Sequence, residues 1–241
     1  MGRVKAVLFD LGGTLIKASE TAETFKKILQ AHGVERSLEE IARAHREAGK
    51  YLSRDTVDYA QLAEEYWERW NRRVLEFLNV KENLGTLVRA LTIEWFHYAD
   101  VRLYPDADEA LRRLKDSGVK LALVTNALQS DVDAILPKIG LTNFFDITVA
   151  SDAVGKTKPD SAVFLFALEG LGVEADEAMC VGDDVEKDCE AAERIGIRSL
   201  LIDRRRELSG RVEAIRDLRE LLTFIVPSSG RLEFNPENRG F

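Results

Sequence analysis

The feature that most constrains the fold is a repeated rhythm in which a short β-type apolar segment is followed by a polar turn and an amphipathic helix. The segments are Lys5–Phe9, Val119–Val124, Asp146–Ala150, Met179–Val181 and Arg198–Ile202. Lys5–Phe9 is continuously apolar beyond its first residue, as expected for a strand covered on both faces of a parallel sheet. Helices are expected over Asp106–Ser117, with Gly118 as its stop, over Val132–Ile139, where Pro137 should kink or end the regular part, and over Asp160–Leu171. A further helix should run from the Gly182-Asp183-Asp184 turn to Ile195, and another over Val212–Phe224. Alternating β and α elements imply an α/β fold: a doubly wound, Rossmann-like parallel sheet with helices on both faces.

From about Ser19 to Tyr98 the pattern changes to helices without a convincing strand. Ala22, Phe25 and Leu29 share one face, as do Leu38, Ile41, Ala42 and His45. Tyr59, Leu62, Ala63, Tyr66, Trp67, Trp70, Val74 and Phe77 make the longest stripe, and Leu84, Leu87, Val88, Leu91 and Trp95 a fourth. These read as a small helical bundle inserted into the α/β unit. The expected organisation is therefore a core of residues 1–17 and 100–226, an all-helical insertion over 18–99, and a polar tail over 227–241 that is disordered or laid on the surface.

Composition narrows the partners. A net charge of −8 with no offsetting Lys/Arg stripe argues against nucleic acid. Arg204-Arg205-Arg206 is flanked by Asp203 and Glu207 and reads as a solvated turn. No apolar run approaches the ~18 residues needed to span a bilayer, so no membrane partner is expected. No signal peptide is readable at the N-terminus, and Cys180 and Cys189 lack metal-ligand spacing. They read as buried, reduced thiols of a cytoplasmic protein. The charge-rich, glutamine-poor composition fits a thermophilic source.

Chemistry-bearing residues follow the ends of separate strand-like segments: Asp10, Thr125-Asn126, and Asp183, Asp184 and Asp188. In an open parallel sheet, the carboxyl ends of the strands converge on one ligand site. Lys158 lies on the loop after Asp146–Ala150. Carboxylates with a lysine and a hydroxyl suit a phosphate held by a hard cation, and oxygen donors of this kind favour Mg²⁺.

Asp10-Leu11-Gly12-Gly13-Thr14-Leu15, Leu123-Val124-Thr125-Asn126, Lys158-Pro159-Asp160 and Gly182-Asp183-Asp184 with Asp188 stand in that order. Together they resemble the motifs of the haloacid dehalogenase-like hydrolases, and the helical stretch resembles that superfamily's inserted cap. The resemblance implies that Asp10 is a nucleophile forming an aspartyl-phosphate. It implies that Asp10, Asp183 and the carbonyl of Gly12 ligate Mg²⁺. Thr125, Asn126, Lys158 and the backbone around Gly13 would hold the phosphoryl oxygens of a small phosphorylated substrate. Asp188 would support the metal's water or Lys158, and Asp184 would cap the next helix.

Gly12 departs from the family pattern, in which phosphatases carry a general acid/base aspartate at this place. Its loss would slow turnover most for poor leaving groups. Other outcomes stay open: an acid arriving from elsewhere, a phosphoryl-ligand binder with little turnover, a 2-haloacid dehalogenase, or a phosphonate hydrolase using a cap lysine such as Lys26, Lys27 or Lys50. His32, His45 and His97 share no metal spacing and read as structural, and Trp67 and Trp70 as bundle core. Lys17, Ser19 and Glu20, just after the nucleophile loop, are candidate specificity residues.

Overall fold

The computed structural model describes residues 4–52, 63–204 and 213–225. In chain order, the first half contains β1 (Ala6–Phe9), β2 (Ile16–Lys17), α1 (Thr21–Ala31), α2 (Leu38–Leu52), α3 (Ala63–Phe77), α4 (Leu84–Ile93), α5 (Trp95–Tyr98) and β3 (Arg102–Leu103). There follow α6 (Pro105–Asp116), β4 (Lys120–Val124), α7 (Gln129–Lys138), β5 (Ile147–Val149), α8 (Ser151–Val154) and α9 (Ala162–Leu171). The last described elements are β6 (Ala178–Gly182), α10 (Ala191–Glu193), β7 (Arg198–Ile202), β8 (Ala214–Ile215) and α11 (Leu222–Ile225).

Six strands form a parallel sheet in the order β5-β4-β1-β6-β7-β8. All four residues of β1 are buried, and they divide between the two faces of the sheet. Val7 and Phe9 join a cluster with Ala107, Ala110 and Leu111 of α6 and Val132 and Ile135 of α7. Ala6 and Leu8 join another with Val163, Phe164 and Ala167 of α9. This is the doubly wound arrangement read from the sequence, and it follows from a central strand that is apolar at every position.

The register fixes where the site lies. Phe9 is level with Leu123 on one side and Val181 on the other. Asp10, Thr125 and Asp183 therefore all leave the sheet along one edge, at the carboxyl ends of three adjacent strands. The Asp10 N–H still donates to Val181 O (2.9 Å), and the Thr125 N–H to Val149 O (3.0 Å).

The helical stretch leaves and returns through an antiparallel ribbon, β2 with β3, which pairs Ile16 with Leu103 and Lys17 with Arg102. Its helices share their own apolar cluster, including Phe25, Ile28, Ile41, Ala44, Val74, Leu75, Leu87 and Leu91. Three stripe assignments change. Trp67 and Phe77 are exposed at 37% and 42%, while Leu75 is fully buried. The buried face of α3 follows Trp70, Val74, Leu75 and Leu78, and Phe77 falls outside that arc. Leu38, at the first turn of α2, is likewise exposed. Tyr59 and Leu62 lie outside the described residues, as does the 227–241 tail.

The C-terminal helix expected over Val212–Phe224 is replaced, among the described residues, by β8, a 3₁₀ turn over Leu218–Leu221 and the short α11. Ala214 and Ile215 pair with Leu201 and Ile202, and a two-residue edge strand is too short to show a period. Asp217 then starts the turn by accepting the Arg219 N–H (2.9 Å). The helix expected up to Ile195 is a π-helical turn over Val185–Glu190 running into α10. α7 begins at Gln129, earlier than expected, because the Asp131 carboxylate accepts the Leu128 N–H (3.1 Å), and it ends one residue beyond Pro137. Among the described residues, no helix is long and apolar enough to cross a membrane. Cys180 and Cys189 are buried and unpaired with each other, as read.

Candidate active site

Three carboxylates and one ammonium meet at the ends of β1 and β6. Lys158 Nζ donates to Asp10 Oδ1 (2.7 Å) and to Asp188 Oδ1 (2.6 Å). Lys158 is 4% exposed. Burial by itself would lower its pKa, but Asp10 and Asp188 outweigh that and hold it above the ordinary lysine value. The ammonium therefore stays charged and pins one oxygen of Asp10. The other oxygen of Asp188 accepts the Asp184 N–H (3.1 Å), so both of its acceptors are committed.

Asp10, Asp183 and Asp188 each offer a carboxylate oxygen within 4.8 Å of the others. Partial burial, then the charges of Asp10 and Asp188, raise the pKa of Asp183 to about 6. Hard oxygen donors crowded to this degree suit a divalent cation, which would relieve their mutual repulsion. Asp184 turns away: its carboxylate accepts the Glu186 N–H (3.1 Å) and Lys187 N–H (3.0 Å), and Lys187 Nζ (2.8 Å). It caps the π-helical turn, as the sequence reading assigned.

Thr125 is buried, and its Oγ1 accepts the Ala127 N–H (3.2 Å), leaving the hydroxyl proton to donate. The Asn126 amide brackets the Lys158 peptide. Nδ2 donates to Lys158 O (3.0 Å), and Oδ1 accepts the Lys158 N–H (2.7 Å). The structure thus ties Asn126 first to the lysine loop.

Glycines set how closely the loops approach. Gly13 has φ +78°, and a Cβ there would stand 2.0 Å from Asp183 Oδ2. A Cβ on Gly182 would stand 2.1 Å from Asp188 Oδ2. Gly12 differs from both, because an added Cβ meets nothing within 4 Å and its φ lies outside the left-handed region. The turn does not require glycine at position 12.

The residues just after this loop form the junction with the helical stretch. Ser19 Oγ accepts the Asp100 N–H (2.9 Å), and Glu20 lies just before α1. Lys17 faces Arg102 across the ribbon, and with Ser19, Glu23 and Lys27 they line a surface cavity of about 230 Å³. The histidines hold structural contacts: His32 pairs with Glu94 (3.2 Å), His45 Nδ1 accepts the Trp70 indole N–H (3.2 Å), and His97 packs edge-on against Tyr98.

Sequence reasoning missed Arg204. Far from lying in a solvated turn, it is half-buried and donates to the carbonyls of Gly13 (3.2 Å) and Thr14 (2.7 Å). Its neighbours Arg205 and Arg206 lie outside the described residues. The one available signal was position, immediately after a buried strand.

A model of the haloacid dehalogenase-like hydrolases matches residues 4–196. The chain belongs to this family. Among its relatives is the ribulose-1,5-bisphosphate 5-phosphatase of Halopiger xanaduensis, 32% identical over 203 residues, covering 82% of this chain and 84% of the relative. The phosphoglycolate phosphatase of Aquifex aeolicus is 31% identical, covering 82% and 84% of the two chains. A crystal structure of a haloacid dehalogenase-like phosphatase from Thermococcus onnurineus shares 27% identity with a TM-score of 0.62, over 92% of this chain and 98% of that one. The magnesium-bound hydrolase YfnB of Bacillus subtilis shares the fold with a TM-score of 0.75 at 18% identity, over 93% and 99%. The family supplies the activity class: this is a hydrolase.

Proposed function

We propose that the protein is a Mg²⁺-dependent phosphoric monoester hydrolase that acts on a small phosphorylated metabolite through an aspartyl-phosphate. The observation that carries this reading is the Asp10–Lys158–Asp188 arrangement beside Asp183 at the end of the central strand. Lys158 engages Oδ1 of Asp10, so Oδ2 is the oxygen left to attack phosphorus. The Thr125 hydroxyl and the Lys158 ammonium donate to the phosphoryl oxygens and stabilise the charge that spreads over them. Asn126 sets the position of Lys158 through its backbone. Asp10, Asp183 and the Gly12 carbonyl would hold Mg²⁺, which neutralises phosphate charge when bound.

The leaving oxygen must take a proton, and water must then attack phosphorus and break the Asp10 O–P bond to free inorganic phosphate; Gly12 offers a side chain for neither step. Turnover is therefore slow on alkyl phosphates and faster on aryl or acyl phosphates, whose leaving groups depart as stable anions. The curated relatives act on small phosphorylated compounds, among them ribulose 1,5-bisphosphate and phosphoglycolate, which supports a substrate of that size. The helical stretch of residues 18–99 acts as a cap that covers the site and selects among substrates.

Phosphate release from p-nitrophenyl phosphate should need Mg²⁺, stop with EDTA and vanish in Asp10→Asn. Activity persisting in Asp10→Asn refutes the nucleophile. A phosphoryl-ligand binder is the second reading, favoured by Gly12 alone; inorganic phosphate bound without turnover of any phosphate ester would establish it.

A further inference from the structure

The nucleophile loop is held by its carbonyls from outside. Arg204 donates through Nε to Gly13 O (3.2 Å) and through Nη2 to Thr14 O (2.7 Å). The next carbonyl, Leu15 O, accepts the Tyr104 N–H (2.9 Å). Arg204 also stacks over the Tyr104 ring at 3.7 Å, and its Nη1 reaches both oxygens of Asp106 (3.1 and 3.0 Å). Asp106, itself buried, takes the Leu218 N–H as well (2.7 Å). Three consecutive loop carbonyls are thus fastened to the start of α6 and to the 3₁₀ turn after β8.

We propose that Arg204 is a positioning residue that locks the nucleophile loop in its working conformation; the catalytic part of this proposal rests on the function proposed above. A peptide unit is planar, with its C=O and N–H pointing in opposite directions. Fixing Gly13 O and Thr14 O on Arg204 therefore aims the N–H groups of Thr14 and Leu15 the other way. The Leu15 N–H accordingly reaches Leu11 O (3.0 Å) on the inner side of the loop. The loop needs this restraint because Gly12-Gly13 carries the widest backbone freedom available to any pair of residues. Gly13 also packs so tightly on Asp183 that a shift of the loop changes the spacing of the carboxylates. Misplacement of a reacting group by ~1 Å can cost about 100-fold in rate. A lysine cannot replace this brace, since only a planar guanidinium presents donors to two carbonyls and a carboxylate at once.

The test uses Arg204→Lys, which keeps a cation beside Asp106, and Arg204→Ala supplemented with methylguanidinium. In Arg204→Lys, kcat on p-nitrophenyl phosphate should fall about tenfold to 100-fold with KM within about threefold. Amide exchange at Leu15 and Ile16 should quicken by about tenfold while β4 and β6 keep their protection. Millimolar methylguanidinium should restore kcat in Arg204→Ala. A lowered Tm with wild-type kcat and wild-type loop exchange would make Arg204 purely structural and overturn the proposal. Should the wild-type enzyme release no phosphate, the proposed reaction fails, and loop exchange in Arg204→Lys alone still decides whether the brace exists.

Discussion

If the proposed function holds, Gly12→Asp should speed phosphate release. The structure accepts the side chain: its Cβ meets nothing within 4 Å and the backbone needs no left-handed conformation. Losing a glycine from the unfolded ensemble adds roughly 0.4–1 kcal/mol of stability when the native φ/ψ suits the new residue. The opposing term is electrostatic. Lys158 pairs with Asp10 and Asp188, and Asp183 adds a third carboxylate beside them, so the new carboxylate joins a cluster that is already net negative. Two like charges ~7 Å apart at an effective dielectric of ~20 repel by about 2 kcal/mol. The variant should therefore be less stable than wild type without Mg²⁺ and regain the difference with it. A positioned general acid/base contributes about 10²–10⁴-fold, or roughly 3–5 kcal/mol of barrier. Initial rates of phosphate release would be compared on glycerol phosphate and p-nitrophenyl phosphate. The gain should reach at least about 100-fold on the alkyl ester and be much smaller on the aryl ester. No gain on either ester from a folded, Mg²⁺-binding variant would refute the reasoning and point to another proton donor, whereas equal gains on both would overturn leaving-group protonation as the step that limits and assign it to hydrolysis of the shared aspartyl-phosphate.

Lys158→Met removes the cation from between the buried Asp188 and the partly buried Asp10, and breaking a buried pair from one side costs about 3–5 kcal/mol. Chemical denaturation at pH 7 should show this loss together with abolished turnover; a variant as stable as wild type would contradict the charge assignment. His45 predicts an acid-sensitive term in stability. Burial lowers its pKa to about 4 from the ordinary histidine value of 6.5, so the unfolded chain binds the proton more readily. Its contribution is complete above pH 6.5 and is lost as pH falls towards 4, by about 3 kcal/mol at most. The drop in unfolding free energy between pH 7 and pH 4 should be smaller in His45→Gln than in wild type; equal drops would remove His45 from the account.

The parts of the fold that were legible in the sequence are those with a period or a long apolar run. Ala6–Phe9 buries every side chain and reads as a central strand directly. The candidate site was legible because Asp10, Thr125, Lys158 and Asp183 each sit next to a strand end or its loop, where topology forces convergence. Elements held by single contacts were not. Ala214–Ile215 is defined by pairing with β7, and the ribbon Ile16–Lys17 with Arg102–Leu103 by a partner far away in sequence. Arg204 illustrates the limit most sharply: beside two further arginines it looks like surface charge, and its burial comes from Asp106 and Tyr104, about a hundred positions earlier. The π-helical turn after Asp184 is equally silent in sequence, because a shift from i+4 to i+5 bonding leaves no compositional mark.

The ribbon at residues 16–17 and 102–103 has a consequence for the protein's modularity. Lys17 and Arg102 are direct cross-strand partners, so the chain departs for the helices and comes back at a single point in space. In connectivity, everything from Ala18 to Val101 is the loop of one very long hairpin. A two-residue Asn-Gly turn joining Lys17 to Arg102 would close the same hairpin without asking any strand of the parallel sheet to move. Helical stretches of other lengths and sequences could be grafted at that junction for the same reason, each leaving the sheet and its set of carboxylates unaltered.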